Sequence, residues 1–178
     1  MKNLFKRVLI AIFIVACVIF GVNESICNAE PLYTDEYIPD AHVYRATAVE
    51  TFKSNRTVTI AIHKGNAIYN YDPSDFYFYL IEILQRTDQN PFNIKSITIM
   101  SEWDSVEIPA DNPNRTKGLN FITDRISYLD TGKVNRVIES VWSKMLIRIT
   151  TTNGVVYDFY ASEEFISDAK KVAGWASR

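Results

Sequence analysis

Residues 57–87 read TVTIAIHKGNAIYNYDPSDFYFYLIEILQRT. The start is unambiguous. In TVTIAIH, Val58, Ile60 and Ile62 alternate with Thr57, Thr59, Ala61 and His63, the period of a half-buried strand. Lys64-Gly65-Asn66 can then close a hairpin onto residues 67–71. Asp72-Pro73-Ser74-Asp75 has the chemistry of a helix start, with a capping aspartate, a proline at the first helical position and a second acid in the first turn. Phe76, Leu80, Ile83 and Leu84 fall on one helical face as far as residue 87. Residues 76–84 are apolar nearly all round, so a buried strand is the rival reading of the same stretch.

Outward from this segment the pattern alternates between the two periods. Residues 43–52 and 94–100 read as strands, and Val106 and Ile108 mark a short partner strand. Residues 109–117 read as a loop. Leu119, Ile122, Ile126 and Leu129 suit a helix that Asp130-Thr131-Gly132 interrupts. Val134, Val137, Ile138, Val141, Trp142 and Met145 follow at helical spacing. Residues 146–151 and 155–160 form a hairpin around Asn153-Gly154, a dipeptide favoured in type I′ turns. Ser162 caps a last helix, with Glu163 and Glu164 at its start, Lys170 and Lys171 near its end, and Phe165, Ala169, Val172 and Ala173 on its buried face. TIAIHKGNAIYNYDPSDF also resembles LIRITTTNGVVYDFYASEEF, as if one strand–turn–strand–helix unit occurred twice. The expected fold is α+β: an antiparallel sheet of about five to seven strands with two to four helices packed on one face.

The first 29 residues have a different character. Lys2, Lys6 and Arg7 precede 15 uncharged residues, VLIAIFIVACVIFGV, and a polar stretch ends in Cys27-Asn28-Ala29. This is the three-part pattern of a signal peptide cut before Glu30. An uncleaved anchor is the alternative, and Ile14-Val15-Ala16-Cys17 has the outline of a lipidation site. Residues 30–41, with Pro31 and Pro39, read as an extended lead-in, and residues 42–178 as a single domain. The expected location is therefore secreted or extracytoplasmic in a bacterial envelope, with membrane contact only through the N-terminal segment.

Composition narrows the function by exclusion. The 178 residues carry 19 basic and 21 acidic side chains, for a net charge of −2. Loss of residues 1–29 removes three bases and one acid and takes the net charge to −4. Neither value suits a general nucleic-acid binder, which displaces counterions with a basic surface. Cys17 and Cys27 are the only cysteines, so a chain beginning at Glu30 has no disulfide, thiol nucleophile or cysteine-ligated metal. No G-x-S-x-G, H-E-x-x-H, phosphate loop or dinucleotide fingerprint occurs. No cofactor is expected. Glu102, Asp104, Glu107 and Asp111 cluster without the spacing or glycine of a calcium loop, so no metal site is expected.

Two candidate chemistries remain. Tyr69, Tyr71, Phe76, Tyr77, Phe78 and Tyr79 place six aromatics in eleven residues, and Trp103 stands between Glu102 and Asp104. Aromatic faces stack on sugars, and tyrosines and tryptophans anchor protein interfaces. Tyr69, Tyr71, Tyr77, Tyr79 and Trp103 are the candidate contact residues of a binding module, with an envelope protein or a glycan as partner. Alternatively His63, at a strand end, serves as the base of an exported hydrolase with unidentified acidic or hydroxyl partners. A tethered assembly subunit is the third reading. His42 lies in the polar lead-in and suggests no role.

Overall fold

The structure is a computed structural model that describes residues 32–33, 41–53, 56–69 and 72–175. Residues 32–33, 41–44, 67–69 and 72–76 are described by backbone alone. The leader, Cys17, Cys27 and Tyr71 lie outside the described residues.

The described residues form ten strands, all antiparallel, in two sheets of six and four, with two α-helices. The strands are β1 (Leu32–Tyr33), β2 (Ala41–Lys53), β3 (Thr57–Tyr69), β4 (Asp72–Arg86), β5 (Ile94–Met100), β6 (Ser105–Pro109), β7 (Asn114–Lys117), β8 (Phe121–Tyr128), β9 (Leu146–Thr151) and β10 (Val156–Tyr160). The helices are α1 (Thr131–Ser140) and α2 (Glu163–Gly174). The first sheet runs β1-β2-β3-β4-β8-β7 and the second β10-β9-β5-β6. After β4 the chain crosses to the second sheet, returns for β7 and β8, and crosses again through α1. The α+β class holds, but two sheets replace the single sheet that the sequence pattern suggests.

The difference originates in residues 57–87. No turn forms at Lys64-Gly65-Asn66; β3 runs straight through to Tyr69. Glycine is needed there because the Phe78 ring on β4 lies over residue 65, where a Cβ would collide with it. Asp72-Pro73 starts no helix either. Residues 72–86 are a strand between β3 and β8. Tyr79, Ile81, Ile83 and Gln85 face the core, and Leu80 on the opposite face is also buried. A central strand covered on both faces is apolar all round, and so is a buried helix. Residues 121–128 are likewise a strand, β8, with Ile122, Asp124 and Ile126 turned inward. The resemblance between the two segments therefore has no structural counterpart, since Gly65 lies mid-strand and Gly154 in a turn.

The remaining elements are closer to expectation. Helix α1 begins earlier than expected, at Thr131, where the Asp130 carboxylate accepts the Lys133 N–H at 3.2 Å. It ends at Ser140, so Trp142 is not helical. Helix α2 is capped by Ser162, which accepts the Phe165 N–H at 3.1 Å. In the β9–β10 hairpin only Gly154 has positive φ, at 83°. The turn is thus not type I′; it closes through Gly154 N–H to Thr151 O at 3.0 Å and continues into a left-handed glycine.

One apolar core joins the layers. Ala46, Ala48, Ile60, Ile62, Ile81 and Ile83 of the first sheet share it with Ile97, Ile99, Val106, Ile108, Ile147 and Ile149 of the second. Helix α2 packs on β2 and β3, and α1 packs against α2, β4, β5 and β6. Phe52 joins β2 to β10 and α2, with ring centroids 5.3 Å from Phe159 and 6.4 Å from Phe165. No helix among the described residues is long and apolar enough to cross a membrane.

Candidate functional site

Two loops leave the same end of the second sheet. Residues 101–104 join β5 to β6, and residues 141–145 join α1 to β9. Val141 and Met145 are both buried in the core, which projects the three residues between them outward. Ser101 folds the first loop on itself: its hydroxyl oxygen accepts the N–H groups of Trp103 at 3.2 Å and Asp104 at 3.0 Å. Its Oγ also lies 2.7 Å from Ser140 Oγ at the end of α1.

Glu102 locks the loops together. Its Oε2 accepts the Trp142 N–H at 3.0 Å, and its Oε1 accepts the N–H groups of Ser143 and Lys144 at 2.7 Å each and the Ser143 hydroxyl at 3.0 Å. These backbone donors, led by Trp142 and Ser143, hold the carboxyl down at a pKa of about 2. Asp104 is also held below the usual carboxylate range, first by the Ser105 N–H and then by Arg136, whose Nε donates to Oδ2 at 2.7 Å.

This rigid backbone presents two indoles to water, with Trp103 81% and Trp142 84% exposed. Burying a ring of ~200 Å² at ~25 cal/mol per Å² would stabilise the fold substantially. The loops hold both rings away from that gain.

Strand register defines an outward face at the same end of the sheet. Ser105, Met100, Leu146 and Tyr160 lie in one row across the four strands, at the end from which the loops emerge. Their neighbours Val106, Ile99, Ile147 and Phe159 are buried, so this row stands on the opposite face of the sheet. Tyr160 is 70% exposed, while Met100 and Leu146 are half-buried. The next row holds Glu107, Thr98, Arg148 and Asp158, with Arg148 bidentate on Asp158 at 2.7 and 2.8 Å.

The other described candidate residues lie on strands of the first sheet. Tyr69 is described by backbone alone, paired with Asp72. Tyr77 is half-buried, edge-on to Trp175 at 6.4 Å, with Lys64 Nζ 5.6 Å from its ring centroid. Lys64 itself is buried and donates to the Ala173 carbonyl at 2.6 Å; desolvation lowers its pKa. Tyr79 is a correction: it is fully buried, donates its hydroxyl to Asn135 Oδ1 at 2.6 Å, and is pushed up in pKa by burial. It therefore offers no surface to a ligand. His63 Nδ1 lies 2.8 Å from Thr47 Oγ1 across β2 and β3. No group of three or more histidines and acids able to hold a metal occurs among the described residues.

An open cleft of about 390 Å³ lies where β7 stops short along β8. Asp111, Asn112, Asn114, Arg125 and Ser127 line it. Arg125 is engaged with Glu82 at 2.9 Å. Pro109, Ala110, Pro113 and Ile126 complete a lining of mixed polarity that includes no aromatic.

Sequence reasoning singled out Trp103 but missed Trp142 and Tyr160. Trp142 continues a helical spacing that stops in space at Ser140. Only its Ser143-Lys144 neighbours hint at a loop. Comparison with protein families, curated proteins and solved structures finds no match for this chain.

Proposed function

We propose that this chain is an exported, non-enzymatic binding module of a bacterial envelope or its surroundings, and that it binds through the Trp103–Trp142 end of the second sheet. The observation that carries the reading is the pair of indoles, each more than four-fifths exposed, on two loops bonded together by Glu102. Preorganised aromatic anchors of this kind lose little conformational freedom on binding. Export rests on the charged start, the apolar run and the Cys27-Asn28-Ala29 site.

The test uses the tryptophans as reporters. Trp175 is the only other tryptophan, so Trp175→Phe leaves only the two loop indoles emitting. Addition of envelope extract from the producing cell is expected to shift their emission to the blue and shield them from acrylamide. Unchanged quenching in extract that retains the protein contradicts this surface.

A further inference from the structure

Resting on that reading, we infer that the ligand of the Trp103–Trp142 surface is a neutral oligosaccharide. The first ground is charge. The charge of Glu102 is offset by three backbone N–H groups, that of Asp104 by Arg136, and that of Arg148 by Asp158. Lys144 is the only cation in the two loops. Nothing here resembles the basic cluster that attracts an anionic lipid surface or polymer, and the chain as a whole is net negative.

The second ground is the kind of polar group that remains. A sugar hydroxyl both donates and accepts. The Arg148–Asp158 and Arg136–Asp104 pairs each set a donor beside an acceptor while adding no net charge. Ser105, exposed in the first row, adds a hydroxyl that can act in either sense. The sugar ring's C–H face would lie on an indole or on Tyr160, a contact driven by apolar burial and aromatic polarity.

The third ground is size. From Ser105 to Tyr160 the row crosses three inter-strand steps, or ~14 Å at ~4.8 Å each. That length suits several linked sugar units better than one.

The experiment is affinity electrophoresis of the chain as exported, from Glu30 onward, through native gels containing hydroxyethylcellulose, galactomannan or glycol chitin. Polygalacturonate serves as the anionic comparison, and sedimentation with phosphatidylglycerol vesicles tests a lipid source. Retardation by at least one neutral polymer is expected, with none by polygalacturonate and no vesicle binding. Trp103→Ala and Trp142→Ala should each weaken it by about tenfold or more, and Tyr160→Ala by less, with circular dichroism unchanged. No retardation by any neutral polymer overturns the inference, as does equal retardation by polygalacturonate or retardation that survives both tryptophan changes. If the tryptophan variants lose retention on the native envelope while no glycan binds, the ligand is a protein: the glycan inference falls and the binding-module reading stands.

Discussion

Glu102 Oε2 accepts the backbone N–H of Trp142 at 3.0 Å across forty positions of sequence. With the Ser143 and Lys144 amides on Oε1, this bond makes two surface loops a single support. The same bonds that hold this carboxyl at a pKa of about 2 fix the backbones from which both indoles project.

Glu102→Gln should therefore lower the melting temperature at neutral pH, and the gap from wild type should depend on pH. The folded carboxyl titrates at about 2 against an ordinary 4.5. The ionised form thus favours the fold above the ordinary value, and that advantage is lost as pH falls towards 2. Melts taken from about pH 6 down to about pH 2.5 should show the two midpoints converging. A gap that stays constant or widens on acidification contradicts the role assigned to the charge.

Tyr79→Phe should cost about 1–2 kcal/mol, because it leaves Asn135 Oδ1 without the buried hydroxyl that donates to it. Envelope retention should be unaffected. Urea unfolding measures the first outcome and a retention assay the second. Loss of retention without loss of stability would return Tyr79 to the binding surface.

Asp124 is fully buried and accepts from Arg115 at 2.6 and 2.8 Å and from Gln85 at 3.2 Å. Asp124→Ala removes these bonds, but Arg115 is partly exposed and keeps Phe92 O and Asn93, and Gln85 keeps Phe92 O, so the change should cost about 1.5–3 kcal/mol. Equilibrium unfolding in urea tests this, and a cost below about 1 kcal/mol would show that the pair contributes little.

What the sequence could reveal followed from period and caps. The final helix, the β9–β10 strands and the antiparallel α+β class were legible because Ser162, Gly154 and the alternating Ile147 and Ile149 act locally. Residues 72–86 and 121–128 were not. Asp72-Pro73 is good local helix chemistry, but β4 sits between two strands, and tertiary pairing on both edges outweighs a cap. The site was half legible for a related reason. Trp103 stands between two acids, a setting that marks it as a candidate contact, whereas Trp142 shares the spacing of Val137, Ile138 and Val141. Its exposure depends on Glu102, forty positions away, which no local pattern encodes.

The central claim is that the exposed indoles, and not the Tyr77–Tyr79 strand, make the contact. The most direct test is retention of the purified chain as exported, from Glu30 onward, on its native envelope fraction, comparing wild type, Tyr79→Phe and the Trp103→Ala/Trp142→Ala double variant, each folded by circular dichroism. Wild type and Tyr79→Phe should be retained alike, and the double variant should be released. Retention of the double variant at the wild-type level would contradict the account.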